Sequence, residues 1–388
     1  MKFASYLFLV NLIIRNISNM IKKVTFIQDD TDKLHFNILK DRVNQELLKL
    51  PESRKMYAKI RAIIFPVLYI MLYLLSTKFY TNQIVFYAIY GFMGMTTVLV
   101  FLNMVHEAVH DNIFKTRKYN RILLYFFDLI GSNSYIWKKR HMRLHHGYQN
   151  IAGWDSDIEQ ANLFRIYPHD QKKKIHSVQH FLIFLFYPLY LVNWVFVRDF
   201  KDFFSKGQLI QKVVKIPFVE YIKLFGFKLF FIFYTVIVPV LNGMSVISAI
   251  GAMLIMIVVA GIFALLILLT PHANITNEFP LPDAQGRLSD SWLRHQFNTT
   301  NDVKINKWLS NNVLGNFNFH LIHNLFPRVS SVFAPELSEI LENYANENNL
   351  GYRSYTLKEA LMYHYQLIKN NASDIELTHK NEVSRQPE

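Results

Sequence analysis

Four long apolar stretches constrain the fold of this chain more than any other feature of its sequence. They cover residues 62–77, 84–105, 224–241 and 244–270. A helix needs about 20 predominantly apolar residues to cross the hydrocarbon core of a bilayer. The second and fourth stretches reach that length, and the short connections at 78–83 and 242–243 predict that each pairs with its shorter neighbour. We therefore expect an all-α integral membrane protein with four transmembrane helices in two hairpins.

The composition supports a membrane protein and excludes several other classes. Hydrophobic residues make up 51% of the 388 residues and charged residues only 18%, whereas soluble domains carry about 25% charged residues. Intrinsic disorder, a collagen-like chain and a long coiled coil are excluded. Because the chain contains no cysteine, a disulfide, an iron–sulfur cluster and a thiolate zinc site are excluded as well. Any metal must be bound by histidine, aspartate, glutamate or asparagine.

The two hairpins divide the chain into five segments. We expect an N-terminal segment at 1–60, hairpins at 61–105 and 224–270, a long polar segment at 106–223 and a C-terminal segment at 271–388. If each hairpin begins and ends on one side, the three other segments share that side. Basic clusters at 115–118, 138–140 and 172–174 predict that this side is cytoplasmic. We expect both termini and the functional site there, at a bacterial inner membrane rather than the endoplasmic reticulum.

Further features concern the membrane interface and the N-terminus. Apolar runs at 122–130 and 181–197 are bordered by lysine or arginine, and we interpret them as interfacial helices, although a fifth and a sixth span would preserve the sidedness. The net charge of +13 favours contact with anionic lipid, and we expect no nucleic-acid partner. Residues 3–14 resemble a signal-peptide core without a cleavage site. Met20 is an alternative start that would leave 1–19 outside the mature protein.

Eight of the fifteen histidines lie in four short motifs beside the apolar stretches. These motifs contain His106 and His110, then His141, His145 and His146, then His272, and finally His320 and His323. The three-residue spacing of His320 and His323 predicts that these two share a helix face. Neutral imidazole is the commonest metal ligand, and eight imidazoles exceed what one ion uses. We therefore predict a helical cap that holds two metal ions.

The spacing within the first two motifs suggests how they share the metals. Residues four apart lie on one face of a helix, so His106 and His110 should converge on one point, as should His141 and His145. His146 turns about 100° away and should reach a second point. The histidines at positions 35, 169, 176, 180, 364 and 379 have no comparable partners, and we expect them to bind no metal.

The chemistry of such a site leaves more than one reading open. Clustered imidazoles without thiolate suit zinc, copper or iron. The first motif also spells the zinc-metalloprotease pattern HExxH, with Glu107 as general base. That pattern needs only one further ligand and leaves the other histidine motifs unexplained. Two irons close to lipid chains favour the activation of dioxygen for attack on an unactivated C–H bond.

The motifs together resemble those of the membrane fatty acid desaturases, most closely the acyl-CoA and acyl-lipid branch with its front-end and linoleoyl-CoA-type members. The three histidine boxes of that family are represented by HEAVH, HMRLHH and HLIHN. Flanking residues agree as well, namely Trp137 to Arg140, Asp155 to Ile158, and the runs at 193–204, 278–282, 295–301 and 324–328. The resemblance covers about residues 40 to 370.

This resemblance implies a di-iron centre that uses dioxygen and two electrons to remove two hydrogens from an acyl chain. The implied ligands are His106, His110, His141, His145, His146, His272, His320 and His323. We expect Asp155, Asp157 and His295 to lie just outside these ligands and to orient their imidazole rings. The substrate would be a fatty acyl-CoA or an acyl-lipid. Because the chain has no haem-binding His-Pro-Gly-Gly motif, we expect a separate ferredoxin or cytochrome b5-type donor with its reductase.

The third box departs from the family pattern at one position. The family's last box ends in His-His, whereas this chain has His323 followed by Asn324. Asparagine offers only a weakly basic carbonyl oxygen, so Asn324 would be a weak or water-mediated ligand. Three outcomes stay open: a working desaturase with a modified site, a lipid hydroxylase or other lipid oxidase, or a degraded enzyme. We expect an active lipid oxidase, because the other box histidines are intact.

Overall fold

The computed structural model of the chain describes residues 23–158 and 164–373. The expectations for residues 1–19 and for His379 lie outside these ranges. Helices dominate the described part of the chain, which also contains two strands of three residues each, Asp302–Lys304 and Ser354–Thr356. The all-α prediction therefore describes the architecture apart from this small sheet.

Five helices in the described residues are long and apolar enough to cross a membrane. They are Glu52–Ser76, Gln83–Val109, Lys174–Val213, Phe218–Leu241 and Val246–Leu268. Four of them contain the four apolar stretches predicted to span. The fifth contains the run at 181–197, which the sequence assigned to the interface. Length and composition therefore offer one more candidate span than we predicted.

Side-chain caps and a tight turn define the two hairpin connections. In the first connection, the Asn82 side chain accepts a hydrogen bond from the backbone N–H of Val85 and so caps the second helix. In the second, Gly243 adopts a φ of 94°, which suits glycine because it has no Cβ. The Ser245 hydroxyl then accepts from the N–H of Ser248 and caps Val246–Leu268. Both predicted connections are thus short turns that lead directly into a capped helix.

The two hairpins pack together through small residues. Gly94, on Gln83–Val109, lies against the backbone of Met256 on Val246–Leu268, where an added Cβ would overlap the Met256 carbonyl oxygen. Ala249 and Ala252, both on Val246–Leu268, are fully buried. Small residues let helix backbones approach closely, which is how helices associate where lipid removes the hydrophobic driving force.

The helix Lys174–Val213 is broken into short segments. Its parts are Lys174–Val178, Gln179–Phe186, Tyr187–Leu189, Tyr190–Asn193, Trp194–Arg198 and Asp199–Phe204, with α-helical, 3-10 and π turns alternating. Pro188 approaches so closely that a Cβ on Gly261 would lie 2.6 Å from its carbonyl oxygen. The segment is held to the second hairpin by Lys228, whose Nζ donates to Asp199 Oδ2 at 2.7 Å.

The polar part of the chain forms a cap of shorter helices. These are Asp30–Lys49, Arg117–Leu129, Ser134–Arg140, Leu209–Val213, Trp292–Thr299, Lys307–Asn312, His320–Leu325, Ala334–Glu347 and Leu357–Asn370. The two strands pair in parallel, with Val303 opposite Tyr355. Thr356 and Glu359 form a reciprocal capping box at the start of the last helix.

Two π-helical turns coincide with the first two histidine motifs. Phe101–Val105 leads directly into His106, and His141–His145 contains the second motif itself. In the second turn the N–H of His146 donates to the carbonyl oxygen of His141 at 3.0 Å, five residues back. A π turn inserts one extra residue into the hydrogen-bonded turn, so the side chains that follow it are rotated relative to a regular α-helix.

The close approach at Gly94 gives a matched pair of substitutions. Gly94→Ala should destabilise the folded protein by about 1–3 kcal/mol, because the new methyl group forces the two hairpins apart. Gly91→Ala is the control, since an added Cβ there meets its nearest atom at an ordinary 3.9 Å. Thermal unfolding of both variants in detergent measures the effect. Equal unfolding temperatures for the two variants would contradict this packing.

Candidate metal centre

Seven of the predicted histidines gather in two groups. We call His106, His110, His141 and His323 the first imidazole group, and His145, His272 and His320 the second imidazole group. Within each group the potential ligand nitrogens all lie within 4.8 Å of one another. Rings of different groups are also neighbours: the centroids of His141 and His145 are 5.3 Å apart, and those of His320 and His323 are 5.7 Å apart.

The eighth histidine, His146, adjoins the first imidazole group. Its Nε2 lies 3.2 Å from Nε2 of His110 and 3.1 Å from Nε2 of His141, and these last two atoms are 3.2 Å apart. Two nitrogens that each bind one ion at about 2.1 Å would be separated by a similar distance. All eight predicted ligand residues therefore lie at one place.

The second imidazole group is oriented by hydrogen bonds on the far side of each ring. Nδ1 of His272 lies 3.2 Å from the carbonyl oxygen of Thr299, and Nδ1 of His320 lies 3.4 Å from that of Phe317. Because a carbonyl oxygen can only accept, Nδ1 carries the proton in both rings. Each Nε2 then has a free lone pair directed at the group.

Two carboxylates, those of Asp155 and Asp157, also lie at hydrogen-bond distance from Nδ1 of an imidazole. Asp155 Oδ1 lies 3.0 Å from Nδ1 of His145, and Asp157 Oδ2 lies 3.0 Å from Nδ1 of His141. Asp157 is also close to the buried Arg140, at 3.5 Å, which in turn donates to Asp202 at 2.5 Å. The two carboxylates thus reach one imidazole in each group, as residues behind metal-binding histidines commonly do.

The structure corrects two of the expected pairings. Spacing predicted that His141 and His145 converge, but His141 joins the first imidazole group and His145 the second. The π turn contributes to this difference: His145 stays next to His141, but the turn rotates the residues that follow it, and Nε2 of His146 lies 3.1 Å from Nε2 of His141. Spacing also predicted that His320 and His323 converge, but they lie in different groups. The helix His320–Leu325 instead presents one histidine to each group.

Burial keeps most of these imidazoles neutral. It lowers the pKa of His272 to about 3, and burial together with neighbouring histidines lowers the pKa of His110, His320 and His323 well below the usual value. His145 differs: burial would lower its pKa, but the charge and hydrogen bond of Asp155 outweigh burial and raise it. Neutral imidazole is the form that binds a metal.

These residues fit a pair of metal ions. Nε2 of His106, His272 and His323 is buried without a hydrogen-bond partner among the described residues. A buried polar atom without a partner costs about 1–3 kcal/mol, and a metal ion would satisfy all three atoms. Several unprotonated imidazole nitrogens that face one another offer lone pairs to one another but no proton, and a metal ion binds such a set of donors.

Two predicted residues lie apart from this arrangement. His295 is buried in the helix Trp292–Thr299, its ring centroid 5.1 Å from that of Phe26, and burial lowers its pKa to about 4. No contact between His295 and either group is recorded in the described part of the chain. Asn324 is buried, and its Nδ2 donates to Thr300 Oγ1 at 3.1 Å. Its Oδ1 is buried and finds no hydrogen-bond partner among the residues that the structure describes.

Glu107 does not occupy the position of a protease base. Its Oε2 accepts from the Ser330 hydroxyl at 3.2 Å and from the backbone N–H of Ser331 at 3.3 Å. The carboxylate therefore ties the first histidine motif to the segment that follows the third. With the two imidazole groups formed as described, the HExxH reading accounts for only a small part of the site.

Comparisons with known proteins agree with this geometry. The model of the family described as fatty acid desaturase matches residues 39–356. The chain belongs to the fatty acid desaturase family. It is 29% identical to the sn-1 linoleoyl-lipid 6-desaturase of Arthrospira platensis, over 71% of this chain and 75% of the relative. It is 30% identical to the acyl-lipid (8-3)-desaturase of Mortierella alpina, over 70% of this chain and 60% of the relative. The protease reading is therefore wrong.

The desaturase has an apolar cavity of about 60 Å³ beside both imidazole groups. His106, His141, His145, His272 and His320 form its polar wall, and the rest consists mainly of aromatic and leucine side chains, namely Phe101, Trp137, Tyr190, Trp194, Leu265, Leu268, Leu269 and Phe317. An apolar wall that faces a metal centre suits a hydrocarbon chain.

Sequence reasoning missed several residues that shape the desaturase site. The ring of Trp137 stacks on His141, with centroids 4.9 Å apart and planes 23° apart. Arg140 is fully buried behind Asp157. Both residues lie directly before the second motif, so proximity in sequence was an available signal. The carbonyl groups of Thr299 and Phe317 gave none, because every residue carries one.

The pair of Asp157 and His141 gives a test of ligand orientation. Asp157→Asn should weaken metal binding by about 10- to 100-fold, because the neutral amide no longer holds the Nδ1 proton of His141 with a full charge. The loss should affect one of two bound ions, since Asp157 contacts only the first imidazole group. Metal titration of the purified protein measures it, with the exposed Asp41→Asn as control. Unchanged affinity at both sites would contradict this role for Asp157.

Proposed function

We propose that the protein is a membrane-bound fatty acyl desaturase that uses dioxygen and external electrons at a di-iron centre. The observation that carries the proposal is the presence of two adjacent imidazole groups on the wall of one apolar cavity. In this proposal the first imidazole group with His146 holds one iron, and the second imidazole group holds the other. When bound, the two irons supply the activation of dioxygen that is needed to oxidise an unactivated C–H bond.

Ligand number favours iron over zinc. A catalytic zinc needs three protein ligands and one open position, which a single group would provide. Two groups side by side, on the wall of one apolar cavity, fit a centre that handles two electrons and dioxygen. The relatives from Arthrospira platensis and Mortierella alpina are both named as desaturases, which supports the same choice.

The protein's own residues hold and shield this centre. Asp155, Asp157 and the carbonyl oxygen of Thr299 keep the proton on Nδ1 of their imidazoles, so that Nε2 stays available. The aromatic and leucine walls exclude water from the acyl chain. Exclusion of water matters because it prevents the oxidising equivalents from being lost in side reactions.

We propose four transmembrane helices, with Lys174–Val213 held at the interface. His110 follows the second span and His272 follows Val246–Leu268. If Lys174–Val213 crossed the membrane, His272 would emerge on the side opposite to His145. The ring centroids of His145 and His272 are only 4.8 Å apart, so this segment enters and leaves on the same side. Its broken helix supports that topology.

We further propose that the histidine-bearing side is cytoplasmic, with both termini there. The basic clusters at 115–118 and 172–174 lie on this side in the proposed topology. A bacterial inner membrane is our proposed location, and a ferredoxin or a cytochrome b5-type protein with its reductase is the proposed electron donor. The relatives are named for linoleoyl-lipid and acyl-lipid substrates, and we propose an acyl-lipid or an acyl-CoA for this chain.

Asn324 supports a second candidate reaction, hydroxylation of the acyl chain. Its Oδ1 is buried and has no hydrogen-bond partner within residues 23–158 and 164–373, so a weak or water-mediated contact with the centre is available to it. An altered ligand changes the metal's electronic properties, and hydroxylation of the acyl chain is the related reaction that such a change would favour.

Double substitutions test how the imidazoles share two irons. The purified protein should contain about two irons per chain. His272→Ala with His320→Ala should lower this to about one, because both residues belong to the second imidazole group. His320→Ala with His323→Ala should remove both ions, because each residue serves a different group. Iron analysis measures the content, with His180→Ala as a control outside the groups. If the variant His320→Ala with His323→Ala lost only one iron, these two histidines would bind the same ion, as their spacing in the sequence predicted.

Lipid analysis of a host that expresses the gene tests the reaction. The wild-type protein should introduce a new double bond, and His106→Ala should abolish it because His106 is a proposed ligand. Asn324→His should retain the reaction. A new hydroxyl group in the wild-type profile would assign the enzyme to hydroxylation. An unchanged wild-type profile with a double bond only in Asn324→His would show that the natural enzyme is impaired.

A further inference from the structure

An open cleft of about 480 Å³ lies beside the metal centre at the start of the first span. We call it the cation cleft, because Lys55, Lys59, Lys115 and Arg328 line it. Its two carboxylates are Glu52 and Asp111, so the lining carries two more positive than negative charges. The residues come from three separate segments, which precede the first span, follow the first histidine motif and follow the third.

Two of the cations have no carboxylate partner. Glu52 is shared by Lys55 and Lys115, each at 3.4 Å, and Asp111 lies 3.6 Å from Arg117. For Lys59 and Arg328 no ion pair occurs within residues 23–158 and 164–373. Lys59 is half-buried one turn before the apolar part of its helix, whereas Arg328 is exposed. An unpaired, half-buried lysine at a bilayer surface favours an anionic ligand.

The walls of the cation cleft are fixed relative to one another. Asn112 Nδ2 donates to the carbonyl oxygens of Pro327 at 3.0 Å and Val329 at 3.2 Å. These bonds join the loop that carries Lys115 to the loop that carries Arg328. The cleft is therefore part of the folded structure and not a chance gap between two independent loops.

The cation cleft adjoins the metal centre through a second cavity. A smaller cavity of about 20 Å³ shares Val329 and Ser330 with the cleft and is lined further in by His106 and His323. Much of its wall is apolar, including Leu102, Phe326 and Leu337. The cation cleft thus shares a wall with an apolar cavity at the metal centre, a position that suits the anionic head of an amphiphile.

We propose that the cation cleft binds the phosphate of the acyl carrier's head group, an inference that rests on the proposed function. Lysine and arginine form charge-assisted hydrogen bonds to phosphate oxygens. The phosphate belongs either to a membrane phospholipid or to CoA from solution. A concave site of this size suits a small head group, whereas docking of an acidic electron-transfer protein would need a broad surface.

Binding of soluble probes to the purified full chain in uncharged detergent tests this proposal. The probes are dihexanoyl phosphatidylglycerol, CoA and uncharged dihexanoyl glycerol, and calorimetric titration gives their affinities. Lys59→Ala with Arg328→Ala should weaken binding of a phosphate probe by about tenfold or more. Lys206→Ala with Lys212→Ala is the control, since both lysines are exposed and do not line the cleft. Lys59→Arg with Arg328→Lys should retain binding.

The outcomes distinguish a phospholipid from CoA as the source of the phosphate, and they distinguish failure of this proposal from failure of the proposed function. Binding of phosphatidylglycerol alone identifies a phospholipid, and binding of CoA identifies a soluble carrier; either result supports the proposal. Equal affinity for the uncharged probe, or equal loss in the cleft and control variants, overturns it. Weakened docking of an acidic electron donor with unchanged phosphate binding overturns it as well. Because the titration requires no turnover, a new double bond in cells together with a failed titration would leave the proposed function standing.

Discussion

The structure depends on the burial of imidazole nitrogens that have few hydrogen-bond partners except one another. Nε2 of His106, His272 and His323 has none in the described part of the chain, and each such buried atom costs about 1–3 kcal/mol. A fold retains such a cost only where another interaction offsets it. Hydrogen bonds from Nδ1 to Asp155, to Asp157 and to backbone carbonyls hold the rings in position, so the cost is part of a prepared site.

Delivery of the imidazoles to one place constrains the membrane topology in turn. The first two motifs follow the first hairpin, and His272 follows the second hairpin. The 4.8 Å separation of the His145 and His272 rings supports the proposed topology, in which both hairpins return to the side from which they entered. The close packing at Gly94 then fixes the two hairpins against each other. Helix packing within the membrane and ligand geometry outside it are thus parts of one arrangement.

The sequence indicated the long helices and the candidate ligand histidines, but it did not indicate which histidines lie in the same group. Hydropathy located four long helices because apolar length is itself the physical requirement for a span, and it left Lys174–Val213 ambiguous because a broken helix can have the same composition. Residue type alone marked the imidazoles as ligand candidates. The pairing of His141 could not be predicted, since the π turn at His141–His145 rotates the following residues relative to a regular α-helix, and nothing in the residue types marks that turn. The carbonyl groups that orient His272 and His320 belong to the backbone and leave no trace in the sequence.

Asn324 shows how a departure from the family pattern is accommodated by the fold. Its amide nitrogen donates to Thr300, and the preceding residue, Thr299, accepts from Nδ1 of His272. The asparagine therefore joins the helix of the third box to the segment that orients a member of the second imidazole group. A histidine at this position would offer a stronger ligand atom, whereas asparagine offers a donor to Thr300 and an acceptor in one small side chain. In this chain the asparagine thus provides a hydrogen bond to the segment beside His272, and eight imidazoles, seven in the two groups and His146 beside the first group, lie together at the candidate centre.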